Sequence, residues 1–314
     1  MIKSQAAAVH YDYELSLLHI RSEIELPELP PWRGDGLEPD VTIGFGPVPA
    51  TVADPKLVTT VLQIGGDGTA RFHLKDVATY FIEGGRRITI DAEMPRDAPD
   101  IRLFLLGTVY GVLCHQRGLL PVHAAGVELD GRAVLLAGPS GVGKSTLAAA
   151  FWRRGFKLLS DDLTPLRLNE GTVSALAGFR RVRLWRDSVD QFDWADEQLE
   201  PCRAKLEKFS RPIVSAFATD PLKPSALFHL QRHAESAGGA RLRPLRGGEA
   251  TQWLGRNIYR SGAMIGLYDE VAAMLRLSQA AAGIPRHFLL SRPMRYDDLD
   301  TIIDQIVDAV RGHA

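Results

Sequence analysis

Between residues 9 and about 95, short apolar runs alternate with polar residues at a period of two, the pattern of strands that bury one face. Gly65, Gly66, Asp67 and Gly68 separate the run at 61–64 from that at 70–74, and Gly84 and Gly85 separate 79–82 from 87–91, so each pair reads as a hairpin. Pro27, Pro30 and Pro31 cannot donate to a sheet ladder, and with Gly34 and Gly36 close behind they predict a surface loop. Near residue 100 the period changes. Ile101, Leu105, Val109, Val112 and Leu113 recur at helical spacing, and Gly118 closes the segment. A boundary is therefore expected between a β-rich domain over 1–98, suited to substrate or partner recognition, and a second domain over 99–314.

In that second domain, apolar strands at 124–129 and 133–137 are joined by Asp130 and Gly131, a pair favoured in two-residue hairpins because both positions accept positive φ. The second strand runs into a glycine-rich loop, then a helix over 144–154 stopped by Gly155, then a buried strand over 156–160. Further on, 226–230 reads as a strand and 241–246 as a basic, turn-like segment. Leu299, Ile302, Ile303, Ile306 and Val310 form the apolar stripe of a C-terminal helix. The fold class is α/β.

Composition narrows the function classes. The 314 residues are 45% hydrophobic with a formal net charge of −1, so no broad positive field draws in nucleic acid or an anionic membrane. Cys114 and Cys202 stand far apart with no CxxC spacing, which fits a reduced, cytoplasmic chain. The first twenty or so residues mix His10, Asp12 and Glu14 into their apolar positions and read as no signal peptide. The apolar run at 101–113 is too short to span a bilayer.

The loop itself reads Gly138-Pro139-Ser140-Gly141-Val142-Gly143-Lys144-Ser145, followed by Thr146, and fits G-x-x-x-x-G-K-[ST] at every fixed position. Glycines let successive backbone amides turn toward one anion, and the helix start adds its positive dipole end. Lys144 is expected to bridge the β- and γ-phosphates of ATP and Ser145 to ligate magnesium. Downstream, Asp161 and Asp162 end the buried strand: one carboxylate can hold the metal while the other takes a proton from an attacking hydroxyl. Upstream, His123 begins the hairpin strand that feeds the loop, where it can contact a phosphate or shift the base; His73 and His115 read as structural. Arg180, Lys208, Arg211 and Arg260 are candidates to neutralise the transferring phosphoryl group, with Lys208 and Arg260 preferred for their aromatic neighbours Phe209 and Tyr259.

Taken together, His123-Ala124-Ala125-Gly126-Val127, the hairpin, the glycine-rich loop, Arg154-Gly155 and Asp161-Asp162 resemble the catalytic core of the HPr kinase/phosphorylase family. The resemblance implies a fold related to phosphoenolpyruvate carboxykinase, ATP with Mg2+, and transfer of phosphate to a protein serine. It also implies Asp161 as general base, Asp162 as metal-side carboxylate and His123 as the residue tuning the base. The bifunctional members carry a glutamate-containing glycine-rich segment where this chain has residues 177–185 without glutamate. That departure points away from the reverse reaction and from HPr as acceptor. The Leu184-Trp185 pair and the segment 116–123 look more like HPr-kinase-related proteins of peptide-modifying systems, including kinases of lasso-peptide precursors. The expected partner is a peptide or small protein bearing a serine, and self-association is compatible with the sequence. Two other readings stay open: a nucleotide-dependent peptide-binding module that moves no phosphate, and a kinase of a small molecule such as free serine.

Overall fold

The computed structural model describes residues 9–36, 38–194, 199–202, 207–213, 215–234 and 238–312, and the chain divides into two compact units, Met1–Arg117 and Gly118–Ala314. The reading of the N-terminal segment falls partly on residues 1–8, outside the described residues. The architecture is mixed α/β with several sheets. Among the described residues, no helix is long and apolar enough to cross a membrane.

The first unit is built on an eight-stranded sheet in the order Tyr11–Leu15, Leu18–Ser22, Val41–Phe45, Arg87–Ala92, Ala78–Glu83, Ala70–Leu74, Leu62–Gly65, Pro55–Val58. Val41–Phe45 pairs in parallel with both its neighbours and all other pairs are antiparallel. Period-two burial is plain in Val41–Phe45, where Val41 and Ile43 are buried and Thr42 is exposed. Gly84 and Gly85 both take positive φ, 56° and 66°, and close the hairpin between Ala78–Glu83 and Arg87–Ala92. The proline-rich segment departs from a plain surface loop: Leu26 and Leu29 are buried, and the Leu26 amide donates to the Tyr13 hydroxyl at 2.8 Å.

The helical run near residue 100 is Pro99–Phe104, a π-helical turn Leu105–Val109, and Tyr110–Gln116. It belongs to the first unit, whereas the change of period placed a boundary between 98 and 99. The reason is local bonding. The Tyr80 hydroxyl donates to Ile101 O at 2.9 Å, and Gln116 Nε2 donates to Gly68 O and Ile82 O at 2.8 and 3.0 Å. A helix that satisfies the sheet's own carbonyls stays with that sheet.

In the second unit a six-stranded sheet runs in the order Lys157–Ser160, Ala124–Leu129, Arg132–Ala137, Pro224–Arg232, His287–Arg292, Arg241–Leu245. The middle pairs, Arg132–Ala137 with Pro224–Arg232 and Pro224–Arg232 with His287–Arg292, are parallel. Asp130 and Gly131 take positive φ, 51° and 73°, in the hairpin joining the two strands before the loop. The sheet is buried on both faces. Ala125, Val127, Val134 and Leu136 pack with helices Lys144–Arg153 and Leu299–Arg311, while Ala124, Ala133, Leu135 and Ala137 face the side of Gly247–Gly255 and Glu270–Gly283. The basic segment expected as a turn is the edge strand Arg241–Leu245, and an edge is where Pro244 costs least.

Candidate functional site

The 138–145 loop leaves the C-terminal end of strand Arg132–Ala137 and enters helix Lys144–Arg153. The strands parallel to it, Pro224–Arg232 beside it and His287–Arg292 one place further on, end at the same edge, so Arg232 and Arg292, the last residues of those strands, arrive beside the loop from far away in sequence. Gly143 has φ 92°, a conformation that favours glycine, and a β-carbon there would force the Arg292 guanidinium to shift. Arg232 Nη2 donates to Gly141 O. Arg292 is 1% exposed, its Nη2 lies 3.4 Å from Val142 O, and its Nε has no hydrogen-bond partner. A buried guanidinium in that state is costly to hold without an anion.

Lys144 is 5% exposed and donates to Gly138 O at 2.7 Å, Pro139 O at 3.0 Å and His123 Nε2 at 2.8 Å. Burial lowers its pKa to about 8, against the partial support of Asp162 and Asp161. An ammonium only donates, so Nε2 of His123 must accept and the ring proton sits on Nδ1, which donates to Asp162 O at 2.9 Å. Burial and the Lys144 charge both lower the His123 pKa, so the ring is neutral at pH 7. Its 3.4 Å approach to Asp162 Oδ1 is therefore a polar contact and no salt bridge at that pH.

The two aspartates occupy different environments. Asp161 is 3% exposed, accepts the Ser145 hydroxyl at 2.7 Å on Oδ1 and the Arg183 amide at 2.8 Å on Oδ2. Burial, reinforced by the neighbouring Asp162 charge, raises its pKa. Asp162 has φ 72°, an uncommon conformation for a residue other than glycine, and this turns its side chain away from Ser145 toward His123 and Arg183. Burial pushes its pKa up, but His123 when charged, Arg183, Lys208 and Lys144 outweigh it, and the carboxyl sits below its ordinary value.

Two cavities meet at Asp162. The first, about 350 Å³, is lined by the loop, Arg183, Arg232 and Arg292, with Trp185, Met294, Tyr296 and Leu299 at an apolar end. The second, about 650 Å³, lies along His123, Trp253, Tyr259 and Arg260. Ser140, Asp162 and Lys208 line both, and Asp161 lines neither.

No family model matches the chain, and no curated protein matches it. Among solved structures it is similar to the Hpr(Ser) kinase/phosphatase from Coxiella burnetii. The likeness covers 61% of this chain and 90% of that one, at 14% identity and a TM-score of 0.33. A likeness at that level assigns no activity.

Of the residues singled out from sequence, His123, Lys144, Ser145, Asp161, Asp162 and Lys208 are gathered at the loop, and Arg260 lines the second cavity. Lys208 stands over the Trp185 ring at 5.8 Å, and Arg260 over Tyr259 at 5.1 Å. Arg180 and Arg211 line neither cavity: Arg180 lies over Phe217, and Arg211 is held between Trp152 and Trp194. Sequence reasoning missed Arg183, Arg232 and Arg292. For the latter two the available signal was an arginine closing an apolar strand, at the edge where open α/β sheets bind ligands.

Proposed function

We propose that the second unit is an ATP-dependent kinase that transfers the γ-phosphate to a serine hydroxyl of a peptide or small protein. The observation that carries this reading is the division of labour between two adjacent carboxylates. Asp161 is bonded to the hydroxyl at the start of the loop helix, and Asp162 faces both cavities. A nucleotide switch has use for the first kind of carboxylate only.

In this reading the backbone amides of 141–146, with Arg232, Arg292 and Lys144, hold the triphosphate in the first cavity, and the apolar end near Tyr296 takes the nucleoside. Among the described residues no cluster of three or more His, Cys, Asp or Glu could hold a metal alone. Ser145, which lines the first cavity and is held by its bond to Asp161, suits magnesium arriving with the triphosphate, which would supply charge neutralisation there. Asp162 accepts the serine proton, and Lys208 and Arg183 meet the charge of the transferring group. The family resemblance gave the base to Asp161 and the metal to Asp162; the hydrogen bonds favour the exchange of these roles.

Incubation with γ-labelled ATP, magnesium and serine-containing peptides, followed by mass spectrometry, tests the reading directly. Label on a serine hydroxyl is the expected result. ATP bound but transferred to neither peptides nor free serine would leave a binding module and sink the kinase.

The pKa of Lys144 gives a second, independent check. In the folded, ligand-free protein it stands at about 8 against an ordinary 10.5. Below pH 8 the folded state therefore carries a buried ammonium at a cost of up to about 3 kcal/mol, relieved as pH rises from 8 toward the unfolded value. A bound triphosphate beside Nζ restores the charge. At pH 9, ATP binding should take up close to one proton, read by titration calorimetry in two buffers of different ionisation enthalpy. No uptake at pH 9 would place the phosphates away from Lys144.

A further inference from the structure

We infer that the second cavity takes an acidic acceptor: a peptide that carries Asp or Glu side chains next to the serine receiving phosphate. The inference rests on the kinase reading and names the substrate class which that reading leaves open.

The position of the cavity suits an acceptor. It shares Asp162 and Lys208 with the first cavity but extends away from it, toward Tyr259 and Trp253. Transfer in line requires the attacking and leaving oxygens to lie on opposite sides of the phosphorus, and two cavities meeting at one carboxylate meet that need.

The wall facing His123 is the turn 255–260, and it is fixed to the catalytic strand by backbone. The His123 amide donates to Asn257 O at 2.7 Å, and the Tyr259 amide donates to Pro121 O at 2.9 Å. Asn257 is itself buried, with Nδ2 donating to Trp253 O at 2.8 Å. Whatever this turn carries is therefore held in register with His123 and, through it, with Asp162.

What it carries is two exposed guanidinium groups. Arg256 lies over the Trp253 ring at 4.8 Å, and Arg260 over Tyr259 at 5.1 Å, with Arg260 in the left-handed backbone region at φ 53°. The ring holds each guanidinium in place, and although Arg260 also donates to the Tyr259 hydroxyl, a guanidinium has five N–H donors, so N–H groups remain to bind a carboxylate. Several exposed arginines elsewhere on this unit pair with carboxylates, Arg243 with Glu249, Arg295 with Asp298, Arg311 with Asp130 and Arg154 with Asp304, whereas others such as Arg132 and Arg246 do not line a cavity with Asp162. Neither Arg256 nor Arg260 forms an ion pair with a carboxylate among the described residues. With Lys208, the cavity lining presents three cations and one carboxylate, Asp162, which faces the hydroxyl. An acidic chain complements that surface and a basic one is repelled by it.

In the step this serves, the serine O–H bond breaks and its proton passes to Asp162. The serine Oγ–P bond forms, and the bond from the γ-phosphorus to its bridging oxygen breaks, its electron pair leaving with ADP.

The test separates binding from transfer. Fluorescent peptides of one length, with a central serine flanked by Asp and Glu, by Ala and Gln, or by Lys, are titrated into the full chain in the presence of a non-hydrolysable ATP analogue. The acidic peptide should bind at least about tenfold more tightly than the neutral one, an advantage that shrinks with salt. Arg256→Ala/Arg260→Ala should erase the advantage, and Arg256→Glu/Arg260→Glu should transfer it to the basic peptide, a gain that misfolding cannot produce. Equal affinity for all three peptides overturns the inference, as does an equal loss of ATP affinity in the alanine variant, which would place the arginines on the nucleotide. Selective binding of the acidic peptide, without its phosphorylation when ATP and magnesium replace the analogue, would keep this site and sink the kinase reading instead.

Discussion

Asp162→Asn should lower phosphate transfer by about 10²–10⁴-fold while leaving ATP affinity little changed. The substitution is clean on the backbone, because asparagine tolerates the left-handed conformation that Asp162 occupies at φ 72°. The hydrogen bond from His123 survives as well, since Nδ1 donates to the backbone oxygen of Asp162, while the charge that faces Arg183 and supports Lys144 is lost with the carboxylate. What disappears is the basic oxygen facing the two cavities. Asp161→Asn should behave differently: both carboxylate oxygens accept hydrogen bonds, from Ser145 and the Arg183 amide, and an amide offers only one acceptor. Magnesium-dependent tightening of ATP binding should be lost in that variant together with transfer. Rate measurements with labelled ATP, and calorimetry with and without magnesium, separate the two. Full transfer by Asp162→Asn, with a dead but normally binding Asp161→Asn, would restore the assignment implied by family resemblance.

Much of this site was legible in the sequence because its central part is local. The hairpin, loop, helix and following strand occupy one continuous stretch, and each boundary carries its own signal: Asp130-Gly131 for the turn, Gly143 for the helix start, Gly155 for its end. The division of roles between Asp161 and Asp162 was not legible. It depends on a single dihedral angle at Asp162, and composition is silent about dihedrals. Arg232 and Arg292 were hidden for another reason. Their place beside the loop is set by parallel pairing of strands that sequence reading could not order, and an arginine after an apolar run reads equally well as a solvated strand end. The domain boundary was misplaced because a change from period two to helical period marks a change of element. Which sheet a helix belongs to is decided by hydrogen bonds such as those of Gln116.

Lys144→Ala should reduce transfer by about 10³-fold or more, yet cost the ligand-free protein little stability. Two effects oppose each other in the fold. Truncation leaves Gly138 O and Pro139 O without their donor, at about 1–3 kcal/mol. It also removes a buried ammonium whose charge is disfavoured enough to bring its pKa to about 8. These terms are similar in size, so the melting temperature should move little while ATP affinity and turnover collapse. Such a variant stores less strain and does less chemistry, as expected where a fold holds a charge in place for a ligand. Differential scanning calorimetry beside ATP titration checks the split. A large fall in melting temperature would show the lysine to be chiefly a structural brace for the loop.

The bond from Lys144 to His123 has a further consequence for timing. While Nζ donates to Nε2, the lone pair of that nitrogen is engaged and the imidazole is inert as an acceptor. Movement of Nζ toward a phosphate would release the lone pair at the moment the first cavity fills. Arrival of the phosphoryl donor would then free a second proton acceptor beside Asp162 in the lining of the second cavity, so that one lysine reports occupancy from one chamber to the next.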